Sequence, residues 1–365
     1  MPRIQTHQHI EYPSEKTAID RLLDYSMTGS SAVMRKQMVD DTFVLKDIAI
    51  LGQWTTIYAS PNTGKTLLTL WLLNEALQSG SIDGEYVFYV NADDTHKGLV
   101  EKTELAEHWG FQVVSPHHKQ FKSSYVIELM TDLVKENSAR GVVLILDTLK
   151  KFTDLMHKKE SAEFGEVARA FVSSGGTIIC LAHTNKHKAA DGRSIYGGTS
   201  DIRDDSDCVY IMDKISGTQS EGTTAVEFHN NKARGDVAEK VAFKYKRFAG
   251  QSYQDLIKTV ERIEEPHLQQ IKSEISAQKQ LDEDSELISA ISDVIRKGVT
   301  AKTAIVKEVN GDTGIPQTRI RQVLTRRTGN VYSLGHRWNY SVGQHNKAEF
   351  LLITARGAQT EKLHN

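Results

Sequence analysis

From residue 54 onward the chain alternates two kinds of apolar pattern. Short runs rich in β-branched residues read as strands: "WTTIYA" (54–59), "YVFYVN" (86–91), "VVLILD" (142–147) and "TIICLAH" (177–183). Between them lie stretches with apolar residues at helical spacing: "GKTLLTLWLLNEALQSG", closed by Gly80; "KGLVEKTELAEHWG", closed by Gly110; "SSYVIELMTDLVKENSARG"; and "SAEFGEVARAFVSSGG". Strands apolar on both faces, separated by amphipathic helices, predict a mostly parallel sheet wrapped by helices. Three further runs, "DCVYIMD", "TAVEFHN" and "KVAFKYKRF", follow with turn-rich connections and no helix between them. They predict an antiparallel extension of the same sheet.

The flanks read differently. Ile19, Leu22, Leu23, Met34 and Met38 recur at roughly helical spacing around "TGSS", which predicts two short helices in an N-terminal arm over residues 1–44. Such an arm packs on its own chain or on a neighbouring copy. The sheet domain is expected over 45–250, and the polar stretch 251–283, interrupted by "EEP", reads as a partly helical linker. Residues 284–347 carry three helical patterns, "DSELISAISDVIRKG", "AKTAIVKEVNGDTG" and "PQTRIRQVLTRRTG", then the alternating "VYSLGHRWNYSV". Three helices followed by a hairpin predict a winged-helix-like module, with an uninformative tail over 348–365.

Composition narrows the class. With 39% hydrophobic and 25% charged residues, the 365-residue chain can bury one large domain and one small one. No run approaches the roughly 20 apolar residues of a membrane span, and "MPRIQTHQHIEYPSEK" lacks an apolar signal core, so no membrane association and a cytoplasmic location are expected. Cys180 and Cys208 both fall inside apolar runs, as packed thiols do, and no zinc-ribbon pattern occurs. A formal net charge of -2 does not advertise nucleic acid, so any such surface must be local.

One such locality is chemical. The string "IYASPNTGKT" leaves a strand and opens a helix, and ends in Gly64-Lys65-Thr66. This is the placement in which loop N–H groups and a helix N-terminus cradle an anion. Ser60, Pro61, Asn62, Thr63, Gly64, Lys65 and Thr66 are therefore expected to bind the phosphates of ATP, with Lys65 reaching the β- and γ-phosphates and Thr66 completing a Mg²⁺ shell. Ala59 stands where the usual pattern has its first glycine; a methyl is tolerated there if φ is negative. Asp147 ends the strand "VVLILD" about eighty residues on, where a carboxylate would orient the metal. Asp93 and Asp94 follow the strand "YVFYVN", at the sheet edge that faces ligands. Asp93 is the candidate base, with Asp94 as the alternative; the pair would equally serve as a helix N-cap.

In order along the chain, "ASPNTGKT", "NADD", "LILDT", "CLAHTNK" and "NNKARGDV" resemble the RecA-type ATPase core, most closely that of RepA-like and DnaB-like hexameric replicative helicases, over residues 45–248. In that family the acid after the second strand is commonly glutamate; Asp93 is one methylene shorter. The resemblance implies that His183, with Thr184, senses the γ-phosphate, where it would otherwise be a satisfied strand-end histidine. It implies that Lys232 and Arg234 act as basic fingers in a neighbouring subunit's site, where exposed turn cations would otherwise suffice. It also implies a DNA-binding loop after "CLAHT": Lys186, Lys188 and Arg193 would follow a backbone, unless the loop is merely solvated. In the C-terminal module Arg319, Gln322 and Arg326 lie on a helical face apart from Ile320, Val323 and Leu324, and Arg319, Arg321 and Arg326 make the third helix basic, which suits DNA or a protein partner such as another replication protein.

The expectation is thus an ATP-dependent, ring-forming, hexameric DNA helicase acting on single-stranded DNA in replication of a chromosome or mobile element. Two alternatives stand beside it: an ATP-dependent recombination or repair mediator, and a non-translocating DNA-binding initiator or regulator whose oligomeric state is set by ATP.

Overall fold

The computed structural model describes residues 16–33, 42–116, 118–154, 157–188, 194–197, 200–215, 222–342 and 348–354. After a small hairpin of β1 (Phe43–Leu45) and β2 (Ala49–Ile50), the chain builds one large sheet. Its strands are β3 (Trp54–Ala59), β4 (Val87–Asn91), β5 (Gln112–Val114), β6 (Val143–Asp147), β7 (Thr177–Lys188), β8 (Ser194–Tyr196), β9 (Cys208–Lys214), β10 (Thr223–Lys232), β11 (Lys240–Lys246) and β12 (Glu261–Ile263). The order is β12-β11-β10-β9-β3-β7-β6-β4-β5, and β8 pairs with β7 alone. From β9 to β5 all neighbours are parallel; β10, β11 and β12 add antiparallel strands at one side. The protein is thus α/β with a mostly parallel mixed sheet, as the alternating pattern predicts.

The period of two along each strand divides the core. On one face Ile57, Ala59, Tyr89, Ile145 and Leu181 pack beneath α2 (Lys65–Gln78), α3 (His96–Trp109) and α7 (Tyr253–Lys258). On the other, Trp54, Tyr58, Leu144, Leu146, Ile178 and Cys180 meet α4 (Tyr125–Lys135), α5 (Lys158–Ser173) and α6 (Ser200–Asp205). Each large apolar side chain so buried contributes about 1.5–3 kcal/mol. Cys180 and Cys208 are both buried and free.

Two boundaries and one element differ from the sequence expectation. Residues 253–263 are not linker: Leu256 and Ile257 of α7 join the main core, and β12 pairs antiparallel with β11. These short segments lack periodicity because each contributes only one or two buried residues. α8 (Glu265–Glu283) follows, seated through Leu268 and clamped by Lys272, whose Nζ lies 2.6 and 2.8 Å from the two oxygens of buried Glu227. β14 (Ala348–Leu352) is not tail but pairs with β13 (Trp338–Val342), whereas residues 332–334 form a single helical turn.

The C-terminal body has its own core. α9 (Ser285–Arg296), α10 (Lys302–Thr313) and α11 (Gln317–Arg326) enclose Ile291, Val306, Val309, Ile320 and Leu324, and Trp338 closes it with an indole N–H donated to the Leu324 carbonyl at 2.8 Å. At the N-terminus, α1 (Ala18–Asp24) has no buried residue; Ile19, Leu22 and Leu23 are exposed, so within the described residues this helix does not pack on its own chain. Met34 and Met38 lie outside the described residues. Among those residues, no helix is long and apolar enough to cross a membrane.

Candidate functional site

Parallel strands bring their carboxyl ends to one edge. Ala59 of β3 pairs with His183 of β7, Leu181 of β7 with Asp147 of β6, and Asp147 with Asn91 of β4, so four strand ends from distant parts of the chain line up. The chain leaves β3 here, turns through residues 60–64 and enters α2 at Lys65. Asn62 (φ 59°) and Gly64 (φ 89°) take left-handed backbone in this turn. A Cβ on Gly64 would stand 2.8 Å from Tyr245 Cε1. Ala59, by contrast, is a buried strand residue without positive φ, so nothing at its position demands glycine.

A cavity of about 330 Å³ lies at this edge, lined by residues 60–67, Asn91, Asp93, Asp94, Lys102, Asp147, Thr148, His183, Arg247 and Tyr253. The Thr66 hydroxyl donates to Asp147 Oδ2 at 2.6 Å, and Tyr89 donates to the same oxygen at 2.8 Å. Lys65 Nζ lies 4.0 Å from Asp147 Oδ1. Burial lowers the Lys65 pKa and Lys150 adds to this, against the pull of Asp147 and Asp93. A buried cation with so little direct pairing is poised for an incoming anion.

The two aspartates after β4 have different surroundings. Asn91, 3% exposed, accepts from the N–H groups of both Asp93 and Asp94 and donates to Asp94 Oδ2 at 2.9 Å. Lys102, itself buried, meets that same oxygen at 2.7 Å and stands over the Tyr253 ring. Asp94 is thereby neutralised. Asp93 points elsewhere, 3.2 Å from Lys151 Nζ and 3.9 Å from Lys150 Nζ, and stays partly open to solvent. Neither is the helix cap: Thr95 is, its hydroxyl accepting from Gly98.

His183 borders the cavity with its Nδ1 buried and without a hydrogen-bond partner among the described residues. Burial, then Lys65 and Lys150, push its pKa below the usual imidazole value, so the ring is neutral near pH 7. Ser60 and Thr184 share a 2.9 Å hydrogen bond and tie the loop to the end of β7.

Lys232 and Arg234 are not brought to this cavity. Lys232 pairs in register with Val209 at the start of β9, and Arg234 donates to Asp207 Oδ1 at 3.1 Å, while the Trp54 N–H donates to Asp207 Oδ2. They therefore sit at the amino end of β3, roughly 20 Å from the loop at its other end, taking about 3.3 Å per residue. Lys232 Nζ donates to the Arg203 carbonyl at 3.2 Å, and the Arg234 side chain is 59% exposed. Lys186 and Lys188 lie on β7; Arg193 is outside the described residues.

In the C-terminal body, Arg319 and Arg326 are turned onto Asp284 at 2.8 and 3.2 Å, alongside buried Arg327 at 2.7 Å. Asp284 is fully buried, so these two arginines have a structural partner that the helix pattern alone does not reveal. Arg321 is exposed and, among the described residues, donates to Gln317, one turn back.

Sequence reasoning misses Arg247, Lys102, Tyr253, Lys150 and Lys151. Arg247 follows β11, which runs in the same direction as β3, so its end reaches the same edge. Lys150 and Lys151 lie just past Asp147, and that proximity is the one signal the sequence carries. Among the described residues, no group of three or more His, Cys, Asp and Glu could hold a metal ion. An ion at Thr66 and Asp147 would take its other ligands from phosphate and water, as Mg²⁺ usually does. The sequence matches no protein-family model, and no curated protein matches it.

Proposed function

We propose that this protein is an ATP-driven motor of the RecA-type phosphate-loop class, which assembles as a ring, hexameric by the resemblance, and translocates on single-stranded DNA in replication, with a winged-helix C-terminal module. The observation that carries the reading is the convergence of Lys65, Thr66 and Asp147 at the mouth of a loop-to-helix turn, on the strand-end edge where such sheets bind ligands. The residues fit Mg²⁺ and a triphosphate: a left-handed glycine, a buried unsatisfied imidazole nitrogen and an under-paired buried lysine surround the space.

Loop N–H groups and the α2 terminus would hold the phosphates, and Lys65 would neutralise them. Thr66 and Asp147 would hold the ion, which when bound stabilises charge on the phosphoryl oxygens. Asp93 would take a proton from water as its oxygen bonds to the γ-phosphorus; the bond to the bridging oxygen breaks, and ADP leaves with that electron pair. Asp94 is spent on Lys102 and serves to position. Lys232 and Arg234, far from their own loop and partly exposed, would complete the site of the next copy, a contribution of about 10³–10⁵ in rate.

The test measures particle mass with nucleotide and ATPase activity with and without single-stranded DNA. Lys65→Ala should abolish turnover; Arg234→Ala should abolish it while nucleotide still binds. Mixing the two variants should restore activity at mixed interfaces, and a monomer that hydrolyses at full rate overturns the ring. One observation favours a second reading, a DNA-binding initiator in which ATP sets the oligomeric state: Asp93 is a short carboxylate held by two lysines. Sequence-specific duplex binding with negligible hydrolysis would establish it.

A further inference from the structure

A second cavity, of about 510 Å³, lies among α2, α3 and α7. The same three helices wall both cavities with different residues: Lys65, Lys102 and Tyr253 line the first, whereas Asn74, Leu105 and Gln254 line the second. Asn74 is about 13 Å further along α2 than Lys65, at about 1.5 Å per residue. Trp71 and Trp109 form aromatic walls. Both indoles are only half-buried, and each is supported on one side: Trp71 lies edge-on to Phe243 with ring centroids 5.7 Å apart, and Trp109 is tilted against Phe111 at 6.4 Å. The polar wall is mostly of one kind. Asn74, Gln78 and Gln254 each contribute a carboxamide, and no carboxylate is among the described lining residues. Asn74 Oδ1 is buried with no hydrogen-bond partner among the described residues. Such an acceptor has lost its water without a replacement, and the soft last torsion of the side chain lets it meet a donor placed in the cavity. His108 and Lys258 are exposed at the rim, and Lys258 Nζ lies 3.5 Å from Asp255, so its charge is already partnered.

We propose that this second cavity binds the adenine ring of a nucleoside, at a site separate from the turn at residues 60–64. Two indole walls suit a flat aromatic ring, because stacking uses the π-face that every base has. A carboxamide presents an acceptor and a donor side by side, the complement of adenine N6–H and N7. Guanine offers two acceptors on that edge and is matched by a guanidinium or an ammonium, and the one ammonium here is engaged by Asp255. Ring contacts, rather than phosphate contacts, therefore hold the ligand. The choice of a small molecule over a protein segment follows from the volume and the place, since pockets of this size between helices hold single small ligands. The site does not depend on the ATPase reading.

The experiment titrates full-length protein with adenosine, which has no phosphate for the turn at residues 60–64 to hold, and follows calorimetric heat and tryptophan emission. Of the four tryptophans, Trp54 and Trp338 are fully buried, so quenching by a bound ring reports Trp71 and Trp109. Adenosine should quench saturably, and guanosine should bind about tenfold more weakly or worse. By calorimetry, Trp109→Ala should lower adenosine affinity about fivefold or more, the usual loss of a stacking partner. Asn74→Leu should lower it about threefold or more, through the lost hydrogen bond. Circular dichroism should stay unchanged in both variants, and so should their affinity for a fluorescent ATP analogue. No heat and no quenching at millimolar adenosine overturns the site, as does wild-type affinity in both variants. Guanosine binding as tight as adenosine overturns the choice of base. A parallel loss of ATP-analogue affinity, with circular dichroism unchanged, overturns a separate site, because the ring of a nucleotide held at the turn would then occupy this cavity. A wild type that binds no ATP analogue defeats the phosphate-loop reading instead, and the adenosine titrations still decide this site.

Discussion

The Thr66 hydroxyl donates a 2.6 Å hydrogen bond to Asp147, a residue 81 positions away in the chain. The bond joins the first turn of α2 to the end of β6 across β7, and it sets the two groups where one divalent ion would reach both. Thr66→Ala and Asp147→Asn should each lower Mg²⁺-dependent ATPase by about 10²-fold or more, with the far-ultraviolet circular dichroism unchanged. A magnesium titration of the rate checks this: a wild-type profile in either variant would show that the pair does not hold the ion.

Gly64 is bound to its conformation twice. Its φ of 89° costs an L-residue about 1–2 kcal/mol, and a methyl would press on Tyr245. Gly64→Ala should therefore lose nucleotide binding, read by a fluorescent ATP analogue. Adding Tyr245→Ala relieves only the clash with the ring, so affinity should recover in part. Complete recovery would assign the whole effect to the ring.

Asp93 and Asp94 should separate cleanly. Asp93→Asn should reduce kcat and leave nucleotide affinity near wild type. Asp94→Asn instead leaves the ammonium of buried Lys102 without its partner, and should cost about 3 kcal/mol of stability in urea titrations. An equal loss of kcat from both, with stability intact, would mean that the two carboxylates act together.

Glu227 supplies a pH dependence. Burial opposes its ionisation, but His229 and Lys272 outweigh burial and bring the carboxyl down to about 2, from an ordinary 4.5. A depressed folded pKa means that the unfolded chain takes up the proton first. The resulting stability is fully present above pH about 4.5 and is lost as pH falls toward about 2. Lys272→Met should shift the acid-unfolding midpoint, followed by tryptophan fluorescence, to higher pH. An unmoved midpoint would show that Lys272 does not hold the carboxylate.

Sequence alone determined the repeating strand and helix pattern, because burial on two faces forces β-branched runs and burial on one forces helical spacing. It also located the turn at residues 60–66 and Asp147, since a strand-to-helix turn is a local object whose residues are contiguous and a strand end is marked by its own apolar run. It could not decide which side chains neutralise one another. That Asp94 belongs to Lys102, Asp93 to Lys150 and Lys151, and Arg319 and Arg326 to Asp284 depends on strand order and helix packing, which bring together residues with no sequence relationship. The short pieces β5, β12 and β14 were hidden for a related reason: each pairs by backbone hydrogen bonds to a neighbouring strand, and no more than one buried residue in each leaves no period to read. Tertiary structure alone put Lys232 and Arg234 at the sheet edge opposite the turn at residues 60–64, because β10 runs antiparallel to the strand beside β3.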